Sequence, residues 1–158
     1  MRKYFIIIAG IIALPILIPI DWCAFWVITS DSGLGLETGF INAYGYYVPS
    51  NGISTYLGIY YTLAGMLPVG GSILIFIDAG VDKRALSAIG GLLLIAGSIT
   101  WAIVHFYNAS EIIALTGLAS GSNVVAGEDG NATWSLSFGF FFPIVAGMIG
   151  LFGAGGRK

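Results

Sequence analysis

The sequence predicts an all-α integral membrane protein, a four-transmembrane-helix up-down bundle carrying a small extracellular β-sheet in its first loop. Three observations lead there. The 158-residue chain is 57% hydrophobic and only 9% charged, too little polar surface to clothe a soluble globule. Its apolar residues gather into four runs of membrane-like length, separated by polar segments. All six basic residues fall at three places, Arg2/Lys3, Lys83/Arg84 and Arg157/Lys158, which four crossings would bring to one side of the membrane.

The predicted helices cover about 4–27, 55–78, 84–107 and 133–154 of a single membrane domain spanning 1–158. The first run, Tyr4 to Ile20, holds Pro15 and Pro19. It is extended through Trp22, Phe25 and Trp26 with a kink, because lipid-exposed backbone must stay hydrogen-bonded and neighbouring helices repair a proline break. Arg2 and Lys3 ahead of an apolar core are also the pattern of a secretory leader. No small-x-small cleavage site follows, however, and Asp21 and Trp22 ahead of Cys23 do not make a lipoprotein box, so a retained helix is expected. Tyr56 to Ile77 and Ala85 to His105 are uninterrupted runs of about 20 residues, enough to cross a hydrocarbon core of roughly 30 Å. Between them "IDAGVDKRA" reads as a tight cytoplasmic turn at 79–83. In it, Asp78-Ala-Gly80 ends the second helix, Asp82 caps the third, and Lys83 and Arg84 are cytoplasmic anchors at the headgroups. The last run, Trp134 to Gly153, carries the bulky "FGFFFP" at Phe138 to Pro143, a lipid or partner face in its outer half, kinked at Pro143.

The extracellular loops are expected at about 28–54 and 108–132. On their side there is no Lys or Arg, but the acids Asp21, Asp31, Glu37, Glu111, Glu128 and Asp129. Positive-inside bias therefore puts both termini in the cytoplasm. In the first loop, Trp26-Val-Ile-Thr29 and Phe40 to Val48 are rich in β-branched and aromatic residues and are broken by the turn signals "SDSGLG" and "PSNG", predicting an antiparallel sheet. Tyr44, Tyr46 and Tyr47 read as an interfacial aromatic belt. In the second loop, "SEIIALTGLA" suits a short amphipathic helix, and "SGSNVVAGEDGN" is expected to be the most mobile part. Two sequons, at Asn108 and Asn131, fall on the same side and are candidates for N-glycosylation. A single cysteine permits no intramolecular disulfide, and sequons without disulfides point towards an archaeal or other prokaryotic membrane.

Little in the chain promises chemistry. No nucleophile and base stand at a recognisable spacing, no glycine-rich loop joins strand to helix, and the cations are too few for nucleic acid. The lone histidine, His105, rules out haem held between two histidines of one chain, and it reads as an interfacial polar residue. No Asp, Glu, Lys or Arg is expected inside the second, third or fourth helix, which argues against ion transport. No catalytic, metal or cofactor site is predicted. The helices instead carry small residues at helical spacing: Ala146, Gly150 and Ala154 in the last, Gly91 and Gly97 in the third. Such stripes let backbones approach closely in lipid, within the bundle or at a seam between copies.

The layout of a short inner turn and a larger, β-prone first outer loop resembles the tetraspan proteins, the claudin and peripheral-myelin-protein group more than the tetraspanins. Trp26 and "GLGLE" at Gly33 to Glu37 stand where claudins carry a Trp and Gly-Leu-Trp, without the two cysteines. The resemblance implies a non-enzymatic organiser of the cell-surface or vesicle membrane. Its partners would be lipids, copies of itself and other membrane proteins. An accessory subunit of a larger membrane complex, for example a respiratory one, is the alternative, and a channel comes third.

Overall fold

A computed structural model of the chain describes residues 2–17, 24–31, 36–50, 52–118, 122–130 and 132–156. Within these, α1 (Arg2–Ala13) runs into a 3-10 turn (Leu14–Leu17). β1 (Trp26–Asp31), β2 (Leu36–Ile41), β3 (Tyr46–Pro49) and β4 (Thr55–Tyr56) follow. Next come α2 (Ile59–Val81), α3 (Arg84–Tyr107) and α4 (Ala109–Thr116), then β5 (Ala126–Asp129), β6 (Ala132–Leu136) and α5 (Phe138–Gly155).

The all-α four-helix bundle is overturned. Five helices form among the described residues, of which three, α2, α3 and α5, are long and apolar enough to cross a membrane, and with them stands a six-stranded antiparallel sheet. The expected helix from 4 to 27 is not made. α1 is 12 residues long, about 18 Å at the α-helical rise, and it tightens into the 3-10 turn around Pro15, which has no N–H to give an α-helix. Trp26, expected at the end of that helix, begins a strand.

The sheet also exceeds its expected place in the first loop. Its strand order is β4-β3-β2-β1-β6-β5, so β1 is central and joins the two loops. It pairs with β2 (Val27↔Phe40, Thr29↔Thr38) and with β6 (Ile28↔Trp134, Thr29↔Thr133). The residues expected to start the last helix at 133 therefore form β6, and α5 starts only at Phe138. Thr133 and Trp134 are strand formers, and β1 offers their backbone a ladder that a helix start would forgo. Part of the glycine-rich stretch expected to be most mobile is β5, paired with β6.

Close contact between glycines holds the long helices together. A Cβ on Gly71 would lie 2.6 Å from the Gly90 carbonyl oxygen, and one on Gly90 would lie 2.7 Å from that of Gly71. The same reciprocity joins Gly91 to Gly147, at 2.7 and 2.6 Å. Adjacent glycines on α3 thus seat α2 and α5 with main chain against main chain, the approach that gives dispersion contact where lipid offers no hydrophobic drive. α1 lies against α2 and α5, with Ile6, Ala9 and Ala13 buried among Ile75, Leu94 and Ala146. Outward, Ile11, Leu63, Met66, Leu92, Ile99 and Met148 remain exposed, an apolar belt that suits lipid.

The β1–β6 register sets Thr29 and Thr133 opposite each other, within the Cα separation a disulfide bridges. In a Cys23→Ser background, Thr29→Cys/Thr133→Cys is expected to oxidise to a disulfide, read as loss of both thiols by mass spectrometry. Thr29→Cys/Ser135→Cys, two residues out of register, stays reduced.

Candidate functional site

Two polar clusters lie inside this apolar chain, at opposite ends of the helices. The first gathers around Arg2. α2 runs through Val81, and Asp82 closes it in the left-handed conformation (φ 54°), its N–H reaching the Asp78 carbonyl at 2.9 Å. Asp78 therefore sits in the last turn of α2, facing inward and 1% exposed. Arg2, from the first turn of α1, donates through one terminal nitrogen to both Asp78 carboxylate oxygens at 2.8 and 2.7 Å, and its other terminal nitrogen pairs with Asp82.

Three expectations change here. Helix two does not stop at Asp78. Asp82 ends α2 and pairs with Arg2, while Lys83 stands at the N-terminus of α3 with no side-chain cap. An acid is buried within a long helix, where none was expected. Such a pair contributes little net stability against its desolvation, but losing one partner strands a buried charge. Lys83 and Arg84, the expected anchors, are exposed and form no ion pair among the described residues.

The second cluster fastens the sheet to the helices. Val124, in the chain leading to β5, presents a carbonyl that accepts from Trp26 Nε1 at 2.7 Å and contacts His105 Nε2 at 3.1 Å. A carbonyl only accepts, so Nε2 carries the hydrogen and Nδ1 accepts from the Tyr61 hydroxyl at 3.2 Å. One carbonyl thus joins β1, α3 and, through the imidazole, α2. The rings pack as they bond: Trp101 stacks on His105 at 5.0 Å and 11°, and meets Phe25 and Tyr61 edge-on. Trp134 Nε1 donates to the Asn123 carbonyl at 2.6 Å, so two indoles and the imidazole hold neighbouring residues of the second loop. His105 is therefore not interfacial but wholly buried, as is Trp101, whose Nε1 finds no hydrogen-bond partner among the described residues.

The other predicted positions are dispersed. Gly91 meets Gly147, Gly97 receives the Pro68 ring, and Ala146 and Gly150 are buried beside Ile75, while Ala154 is half-buried. The reciprocal main-chain contacts between the long helices join Gly91 to Gly147 and Gly90 to Gly71, not the every-fourth stripe of α5, and the doublets Gly70-Gly71 and Gly90-Gly91 were the available signal. Asn108 joins α3 to α4, half-buried, its amide donating to the Val104 carbonyl at 2.8 Å. Asn131, Asp21, Cys23 and Gly33 to Gly35 lie outside the described residues, as do Arg157 and Lys158. Tyr44 is half-buried and donates to the Ile16 carbonyl at 3.2 Å; burial pushes its phenol above the usual range and keeps it a donor. Tyr46 packs against Tyr56 across β3 and β4, ring centroids 5.2 Å apart and the planes tilted by 43°. Among the described residues no three His, Cys, Asp or Glu side chains gather as a metal site.

Compared with known proteins, the chain matches no family model and no curated protein.

Arg2→Ala strands Asp78 and is expected to cost about 3–5 kcal/mol, read as a lowered unfolding midpoint in mild detergent. Arg2→Met/Asp78→Leu, which removes both charges, returns most of that loss.

Proposed function

We propose that this is a non-enzymatic membrane protein that displays its sheet as a platform and associates laterally, with copies of itself or as a scaffold for other membrane proteins. The observation that carries this reading is the seam at the Val124 carbonyl. Trp26, His105 and, through His105, Tyr61 are held by one another and by the main chain, in contacts that order the sheet on the helices. A sheet mounted so firmly presents a fixed surface, and preordered surfaces lose less on binding than flexible ones. Its outermost strands, β4 and β5, are exposed along their whole length.

In this reading the end bearing Arg2, Lys3, Lys83 and Arg84 faces the cytoplasm and the sheet faces outward, following the bias of basic residues. The claudin-like resemblance agrees with an outward sheet feeding long helices, and it is part of the proposal. The Asn108 sequon would then be outside, though a glycan there must first displace the bond to Val104. The alternative, an accessory subunit of a larger membrane complex, uses the same bare helices to fill a seam between foreign subunits.

Native mass spectrometry of the full chain, extracted in mild detergent from its own membrane, separates these outcomes. Self-association predicts one dominant species at a multiple of 16.6 kDa. Stoichiometric foreign subunits support the accessory reading, and a bare monomer across detergents contradicts both.

A further inference from the structure

The Arg2 cluster has a consequence for the cations around it. At that end of the molecule the acids Asp78 and Asp82 are both engaged by Arg2. Lys3, Lys83 and Arg84 are exposed and enter no ion pair among the described residues, so their charge is directed outward.

Beside them lies an apolar groove of about 610 Å³ on the last turns of α5, lined by Met148, Leu151, Phe152, Gly155 and Gly156. Its floor is open because the two glycines follow the large Phe152 ring, which is 74% exposed. Helix packing brings the cations to this level from both sides. Leu151 lies against Gly91 of α3, and Gly150 lies near the Ser87 carbonyl. The Ser87 hydroxyl in turn donates to the Arg84 carbonyl at 3.1 Å, one turn nearer the membrane surface. On the other flank Gly153 meets Phe5 and Ile6, and Gly156 meets the Arg2 side chain, so the first turn of α1, with Lys3, borders the end of the groove.

We infer that this groove binds an anionic phospholipid of the surrounding leaflet, an acyl chain lying along α5 and the phosphate held by Lys3, Lys83 and Arg84. Charge complementarity selects the occupant. A zwitterionic lipid fills the same apolar space but gains less from three uncompensated cations, and each basic residue at a membrane surface favours anionic lipid by about fivefold. The inference requires that these helices lie in a bilayer. It does not require that the protein self-associates.

The test uses the full chain in nanodiscs of equal phosphatidylglycerol and phosphatidylcholine, with lipids retained after release into the gas phase counted by native mass spectrometry. Wild type is expected to retain phosphatidylglycerol several-fold above its bulk share. Lys3→Ala/Lys83→Ala/Arg84→Ala returns retention to the bulk ratio. Gly155→Leu fills the groove without touching the charges. A Cβ on Gly155 meets nothing within 4 Å, so the fold accommodates it. This variant is expected to reduce retained lipid of both kinds, with an unchanged melting temperature. No enrichment in wild type, enrichment surviving the triple variant, or retention indifferent to Gly155→Leu would overturn the site. Because the count is made per chain, it is read equally from monomer or oligomer and stands apart from the test of self-association.

Discussion

Everything else in this molecule depends on the approach of main chain to main chain at two neighbouring positions of α3. Gly90 faces the carbonyl of Gly71 and Gly91 faces that of Gly147, each at distances where a Cβ has no room. In lipid there is little to gain from bringing one oily side chain against another, so helices come together where their backbones can touch. A doublet of glycines presents two adjacent directions of one helix, and α2 and α5 take one each. α1 then closes against the pair, with its Ile6, Ala9 and Ala13 set among Ile75, Leu94 and Ala146.

The two polar clusters follow from that arrangement. Once α1 lies between the ends of α2 and α5, Asp78 is cut off from water and needs a cation, which Arg2 supplies from the first turn of α1. At the far end the tops of α2 and α3 bring Tyr61, Trp101 and His105 together, and β1 drops Trp26 onto them. Val124 answers both N–H groups with one carbonyl. The sheet is thereby part of the same packed unit as the helices, and its central strand unites two loops that the sequence separates by a long helical hairpin.

What was legible in the sequence was local. α2 and α3 are charge-poor apolar runs, and their lengths and approximate bounds could be read from hydropathy alone. The strands of the first loop showed in Trp26-Val-Ile-Thr29 and Phe40 to Val48, and α4 in the spacing around Ile112, which is buried. What was not legible depends on partners distant in the chain. Thr133 to Leu136 adjoins an apolar run, and a short apolar stretch reads equally well as the start of a helix until β1 is placed beside it. Arg2 and Asp78 are 76 residues apart, and Trp26 and Val124 are 98 apart. Neither pairing leaves a mark at either position. His105 looked interfacial because nothing in its own helix says that a sheet will fold over it. The charged turn was read as an anchor for the membrane surface when half of its acids belong to the interior. Its exposed cations were recognised, but the neutralisation of its acids, which leaves those cations unopposed, required the fold.

The most direct test of the central constraint is a comparison of alanine substitutions by thermal unfolding in one mild detergent. At Gly91 of α3 the new methyl meets the Gly147 carbonyl, whereas at Gly70, within α2, it meets open space. The account predicts that Gly91→Ala loses about 1–3 kcal/mol to overpacking while Gly70→Ala is unchanged or gains up to about 1 kcal/mol from reduced backbone freedom in the unfolded chain. Equal stabilities for the two variants would contradict it, since the helices would then not be held by the contact on which this account rests.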